Sequence, residues 1–100
     1  MYRRLRLCAN RGAYEAIPDP PRALDLPKVK GILEGQGVPV VDARVMLIAT
    51  LESEVTLSRA GRILFKTKDA RLAEREFERL RVLLALPEME NSHAGGAESG

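Results

Sequence analysis

The sequence predicts a small α+β domain in which an antiparallel sheet of about four strands is backed by two helices, in the order β-α-β-β-β-α. Three observations predict this fold. Several segments alternate apolar and polar residues, which is typical of strands that bury one face. Two segments instead repeat apolar residues every three or four positions, as amphipathic helices do. The 100 residues, 45% of them hydrophobic, are enough for one core, so we expect a single domain over residues 1–87.

The first predicted strand runs from Tyr2 to Ala9, because Arg4 and Arg6 alternate there with two leucines. We expect one face of this strand to be basic. The stretch from Asn10 to Pro21 contains Asn-Arg-Gly and Asp-Pro-Pro, which are typical of turns. It is therefore predicted to form one long surface loop.

The first helix is predicted to begin after Asp25, which is a favourable N-cap residue, and to end near Gly35. Pro27 fits the first turn of such a helix. Val40-Val41 then leads into a predicted strand from Arg44 to Leu51 that is apolar on both faces.

Two further strands are predicted as consecutive hairpins. A tight reversal at Glu52-Ser53 leads to an alternating strand from Glu54 to Ser58. The turn Arg59-Ala60-Gly61 leads to another, from Arg62 to Lys68. Together with the strand from Arg44 to Leu51, these two form an antiparallel meander.

A long amphipathic helix is predicted after Asp69, which can cap it, and it reaches about Leu86 before Pro87 stops it. Residues 88–100 are rich in Glu, Ser, Asn, Gly and Ala, without periodicity. Such a segment buries too little apolar area to offset the entropy of ordering, so we expect a disordered acidic tail. The acids of this tail mean that a net charge of +2 understates how basic the rest of the chain is.

Composition favours a cytoplasmic protein. A lone cysteine, Cys8, excludes an internal disulfide and a cysteine-based metal cluster. No stretch approaches the roughly 20 apolar residues that a membrane span needs. The chain has one Gln and two Asn beside abundant Arg and Glu, a bias seen in proteins from hot environments.

The residue types needed for catalysis are scarce, so we predict a protein that is not an enzyme and has no cofactor or metal. Gly31 to Gly37 ends a helix, whereas glycine loops that bind phosphate open one. His93 is the only histidine and falls in the predicted tail, and Cys8 has no histidine partner. Acids near the predicted strand ends, such as Asp42 and Glu54, have no spacing that fixes an acid–base pair.

The most informative feature is the sheet face that points away from the helices. Alternation assigns to the helix-packed face Leu5, Leu7, Val45, Leu47, Val55, Leu57, Ile63 and Phe65. Between the positions of this set, the opposite face carries Thr56 and Ser58 together with the candidate binding residues Arg4, Arg6, Arg44, Met46, Ile48, Arg62, Leu64 and Lys66. Glu54 is the one acid expected nearby. This is an apolar strip with a basic surround, which fits a solvated sheet face, a partner or oligomer interface, or a surface against nucleic acid.

Within Ala43 to Leu84, the sequence resembles one half-repeat of a TATA-box-binding protein. The resemblance lies in a meander with the turn Ser58 to Arg62, followed by the Ala/Arg/Glu-rich segment from Ala70 to Leu83. It implies an open sheet face that lies in the DNA minor groove, with wedge phenylalanines between base steps. Here the wedge positions hold aliphatic residues such as Leu57, and the chain supplies one half-repeat where that family needs two.

The same Gly-Arg hairpin and Ala/Arg helix also resemble small accessory domains of ThiF-like adenylyltransferases, which implies a protein-interaction role. The sequence therefore predicts a binding module that uses the open, basic-rimmed sheet face. It would act on nucleic acid as a homodimer that completes a continuous sheet or, alternatively, as an accessory subunit for a protein partner. No membrane role is expected.

Overall fold

The computed structural model describes residues 1–3, 5–8 and 12–89 of the chain. They form an α+β fold in which one antiparallel sheet is backed by two helices, as predicted. The strands are β1 (Arg6–Cys8), β2 (Ala13–Ala16), β3 (Val40–Asp42), β4 (Met46–Thr50), β5 (Glu54–Ser58) and β6 (Ile63–Phe65). The helices are α1 (Leu26–Gly35), between β2 and β3, and α2 (Ala70–Leu84), after β6. The sheet has six strands, in the order β1-β2-β6-β5-β4-β3, where about four were expected.

The two extra strands, β2 and β3, lie in or beside segments for which the sequence pattern predicted a different structure. The predicted loop from Asn10 to Pro21 contains β2, which pairs with β1 on one side and β6 on the other. The predicted strand from Arg44 to Leu51 begins only at Met46, because residues 43–45 turn the chain back from β3. In that turn the Asp42 carboxylate accepts a hydrogen bond of 2.8 Å from the Arg44 N–H, and Arg44 has a φ of 74°.

Both predicted helix starts are confirmed. The Asp25 side chain accepts a hydrogen bond from the Lys28 N–H, with Pro27 in the first turn. The Asp69 side chain caps α2 by accepting from the N–H groups of Arg71 and Leu72. α2 ends at Leu84, where Ala85 adopts a left-handed conformation.

The core lies between the helices and one face of the sheet. Register partners on adjacent strands share a face, so Ala16, Ile63, Leu57 and Leu47 form one row on this packed face, and all four are fully buried. The helices bury residues against this layer, including Leu33, Ala73, Phe77 and Leu80. Val45 was expected on the packed face, but it lies in the β3–β4 turn and is 57% exposed.

Tyr2 joins the start of the chain to the β5–β6 turn. Its side chain is fully buried, its hydroxyl donates a hydrogen bond of 2.8 Å to the Gly61 carbonyl, and its ring packs edge-on against Phe77 at 5.2 Å. The Tyr2 N–H donates to the carbonyl of Glu88, and Met89 packs against the core. Glu88 and Met89, which the sequence assigns to the tail, are thus held against the domain. Residues 90–100, the rest of that predicted tail, lie outside the described residues.

We expect the domain to lose stability in alkaline solution partly through Tyr2. Burial raises the pKa of Tyr2 above its ordinary value of about 10, and the positive charge of Arg22 opposes this only in part. Since the phenol ionises more readily in the unfolded chain, this contribution is present below about pH 10 and is lost as the pH rises further. In urea titrations at neutral pH, the free energy of unfolding of Tyr2→Phe should be about 1 kcal/mol below that of the wild type. Between neutral and alkaline pH, the free energy of unfolding should decrease less in Tyr2→Phe than in the wild type. Tyr14→Phe is the matched control that keeps the Tyr2 part of this decrease. An identical alkaline fall in Tyr2→Phe and wild type would contradict the assignment.

Candidate interaction surface

The sheet face opposite the helices carries one row of side chains that crosses all six strands. Pairing in register places in this row Arg6, Glu15, Leu64, Thr56, Ile48 and Val41, from β1 to β3. We call this set the central row. Leu64, Thr56 and Ile48 are half-buried although no helix covers them, and Val41 is 63% exposed. Four neighbouring strands therefore present a continuous strip of aliphatic and hydroxyl-bearing side chains.

Two further sets of side chains flank the central row. On one side, Met46 pairs in register with Ser58, whose hydroxyl accepts a hydrogen bond of 3.1 Å from the Arg62 N–H. On the other side, Thr50 pairs with Glu54, whose carbonyl accepts from the Lys66 N–H. The structure therefore brings Arg6, Met46, Ile48, Arg62, Leu64 and Lys66 onto one face, as the alternation predicted.

Two shallow depressions mark this face. The larger, about 410 Å³, is lined in part by Glu15, Met46, Thr56, Ser58, Arg62 and Leu64. The smaller, about 340 Å³, lies on the other side of Thr56 and Leu64 and is lined also by Ala13, Glu54 and Lys66. Both depressions are lined by side chains of the central row and of the two sets that flank it.

Two of the three cations that the structure places on this face, Arg62 and Lys66, pair with acids there, while Arg6 is exposed at its β1 end. Arg62 forms a salt bridge with Glu15, whose side chain is only 16% exposed, and Lys66 lies 3.9 Å from Glu54. Glu54 was expected to be the one acid nearby, which is wrong because Glu15 lies in the central row. Glu15 lies in β2, a segment whose local sequence pattern predicts a loop, and alternation therefore did not assign it to this face. The rim is consequently less basic than its arginines and lysine suggest.

Two of the predicted binding residues are not placed on this face, while Arg62 and Lys66 flank β6 on it. Arg44 lies in the β3–β4 turn, where it is exposed at the end of the sheet. Arg4 lies outside the described residues. The acids near strand ends do not come together either, since Asp42 accepts from the Arg44 N–H and Glu54 pairs with Lys66.

A metal site, a buried catalytic acid and a membrane span each require particular groups among the described residues. The described part of the chain contains no group of three or more His, Cys, Asp or Glu side chains that could hold a metal ion. The buried carboxylate of Glu76 lies on α2 and accepts hydrogen bonds from Ser53, so it serves the fold. Neither α1 nor α2 has the length and apolar character needed to cross a bilayer. His93 lies outside the described residues.

Comparison with known proteins adds no assignment. No protein-family model matches the chain. A search of curated proteins found no match, and a search of solved structures found none either. The resemblances to TATA-box-binding proteins and to ThiF-associated domains therefore stay predictions, and the site has to be interpreted from its own geometry.

Proposed function

We propose that this protein is a non-enzymatic binding module whose open sheet face contacts another protein. The observation that carries the proposal is the strip formed by Leu64, Thr56, Ile48 and Val41, which are register partners on four adjacent strands. Contiguous apolar side chains on an uncovered face often mark interaction sites, whereas apolar residues that are exposed singly do not. A sheet holds such a strip rigidly, so little side-chain entropy is lost on binding.

The pairing of charges favours a protein over nucleic acid as the partner. Affinity for nucleic acid comes largely from basic side chains that contact phosphates and release counterions. On this face Arg62 and Lys66 have carboxylate partners, Glu15 and Glu54, which lower its attraction for a phosphate backbone, although Arg6 adds a third cation. A protein partner instead gains from the mixture of apolar strip and paired charges, because hydrophobic interface centres surrounded by polar rims are common.

The minor-groove version of the proposal has little support from Leu57. The resemblance to TATA-box-binding proteins would assign this residue to a wedge position, but here it is fully buried on the packed face. It therefore cannot reach a ligand on the open face. The protein-interaction version, which the ThiF-associated resemblance also implies, does not need a wedge.

Replacing Ile48 with aspartate is expected to weaken binding of the protein partner about 100-fold or more. The carboxylate would enter the centre of the interface without a partner charge, which costs several kcal/mol. Because Ile48 is half-buried on the uncovered face, the fold should survive, and circular dichroism checks this. The measurement is the amount of partner protein that co-purifies with a tagged wild-type chain, compared with the amount of that same partner that co-purifies with the tagged variant.

Val82→Asp is the matched control. Val82 is 64% exposed and lies on α2, on the side of the sheet opposite the open face. Equal retention of the partner by wild type and Ile48→Asp would contradict the proposal, as would equal loss with Val82→Asp. The partner would be nucleic acid if the chain bound duplex DNA with a salt-dependent affinity that Arg62 contributes to. In that case, the slope of log binding constant against log salt concentration should fall in magnitude by about 0.9 for each phosphate contact that Arg62→Glu removes.

A further inference from the structure

The strand β3 (Val40–Asp42) ends the sheet with backbone groups that have no partner in the described part of the chain. On its inner side, Thr50 N–H donates to the Pro39 carbonyl and Ala43 N–H donates to the Met46 carbonyl. Hydrogen-bonded pairs alternate along an antiparallel ladder, so Val41 bonds to Ile48 between these two. The N–H and C=O groups of Val40 and Asp42 consequently point away from the sheet.

The protection of this edge is incomplete. Natural edges are protected by being short or by carrying lysine, proline or inward charges; β3 is short and follows Pro39, but it has no lysine or proline of its own. In β3 the central residue is Val41, which is 63% exposed, and the one charged side chain, Asp42, is engaged in capping its own turn at 2.8 Å from the Arg44 nitrogen. An edge of this kind is a template for another strand.

A second feature beside this edge is the exposed cation of Arg44, close in the chain to β3. It is exposed and holds a φ of 74°, a conformation that glycine or asparagine adopts at less cost. The last turn of α1 carries Glu34 but no basic residue, although cations are favourable at a helix C-terminus. Val38, just after that helix end, donates its N–H to the Leu33 carbonyl.

We propose that β3 is a dimerisation edge, on which a second copy of this chain adds its own β3 antiparallel, with Val41 directly opposite Val41. This register sets Val40 opposite Asp42 of the second copy, so every outward N–H and C=O of both strands is paired. It also sets Arg44 opposite Val38, next to the C-terminus of α1 in the second copy. A second copy fits because it offers both a matching ladder and, beside Val38, a helix C-terminus that lacks a basic residue.

The two-fold symmetry of this arrangement makes the contact closed and self-complementary, as in most homodimers. It also joins the two central rows, since Val41 is the last member of each row. The open face would then double in extent without a change in either sheet. This inference concerns the edge of the sheet and does not depend on what the open face binds.

Introducing a charge of either sign at Val41 tests the register. In sedimentation equilibrium we expect the wild-type chain to dimerise, and Val41→Lys and Val41→Glu each to raise the dimer dissociation constant roughly tenfold or more, because like charges then face each other. Mixing the two variants should restore a dimer, since residue 41 opposes itself only in this register. Val82→Lys, on the exposed face of α2, should dimerise like wild type.

A second variant separates dimerisation from folding. Arg44→Gly relieves the positive φ, so the monomer should unfold at the same or a higher temperature, while the dimer dissociation constant rises. A wild-type chain that stays monomeric to about 1 mM, or a mixture of charge variants that does not dimerise, overturns the inference. Since Ile48→Asp reports on the open face separately, loss of this dimer with retained partner binding would leave the proposed function standing.

Discussion

Replacing Gly61 with alanine is expected to destabilise the domain by more than about 3 kcal/mol and to lower its urea midpoint sharply. Gly61 has a φ of 93°, which side chains with a Cβ rarely adopt. A Cβ at this position would lie 2.1 Å from the carbonyl oxygen of Arg22 and 3.1 Å from Cγ of Pro18. The clash is with backbone, so a side-chain rotation cannot relieve it.

The surroundings of Gly61 also resist movement. The Leu24 N–H donates a hydrogen bond of 2.9 Å to the Arg59 carbonyl, and the Tyr2 hydroxyl donates to Gly61 itself. Moving the β5–β6 turn away from Arg22 would break these contacts and open the core beside Tyr2. We expect a cost above about 3 kcal/mol, which is a large part of the roughly 5–15 kcal/mol that stabilises a typical domain.

Urea denaturation checks this prediction, with Gly31→Ala as the matched control. Gly31 lies inside α1, and a Cβ added there would meet no atom outside its own helix turn within 4 Å, so alanine should stabilise the domain by about 0.5–1 kcal/mol. The same chemical change thus has opposite signs at the two glycines. A Gly61→Ala midpoint close to that of the wild type would show that the turn is not held against Arg22.

Replacing Glu76 with alanine is expected to cost about 2–4 kcal/mol. The Glu76 carboxylate is 4% exposed on α2 and accepts a hydrogen bond of 2.8 Å from the Ser53 N–H, together with a short one from the Ser53 hydroxyl. Without it, the buried N–H and hydroxyl of Ser53 lose their acceptor, and leaving such groups unsatisfied costs their full desolvation penalty. The connection between β4 and β5 would loosen, and with it the Thr50 and Glu54 end of the open face.

Double-mutant analysis of Glu76→Ala and Ser53→Ala measures this contact directly. We expect a coupling energy of about 1–3 kcal/mol, because the two residues share their hydrogen bonds. Glu74→Ala, an exposed change on the same helix, should stay within about 0.5 kcal/mol of the wild type. A coupling energy near zero would mean that Glu76 does not hold the β4–β5 connection.

Local signals in the sequence predicted much of the fold. Asp25 and Asp69 cap the helices as expected, because N-capping depends on one side chain and the next few N–H groups. The strand Glu54–Ser58 was predicted with the bounds that the structure has, since its alternation is unbroken. Alternation also assigned Met46, Ile48, Thr56 and Leu64 to one face, which the registers of the strands confirm.

Pairing between distant segments could not be predicted in the same way. β2 is only Ala13–Ala16, between Gly12 and Pro18, so its local pattern is that of a loop. It is a strand because β1 and β6 supply hydrogen bonds on both sides, which no local pattern records. Because β2 was predicted as a loop, Glu15 was not assigned to the open face. The pairing of Arg62 with Glu15 therefore became visible only in the structure, where it supports the proposal of a protein partner over nucleic acid, both of which the sequence left open.

The claim that the open face binds another protein is tested most directly by site-specific photocrosslinking. A photoreactive amino acid at Thr56, in the middle of the central row, is compared with one at Val82 on α2, in the cells that produce the protein. We predict that position 56 forms crosslinks to a discrete protein, that position 82 does not, and that Ile48→Asp removes the crosslink. Equal labelling from both positions, or crosslinks from position 56 to nucleic acid alone, would contradict this account.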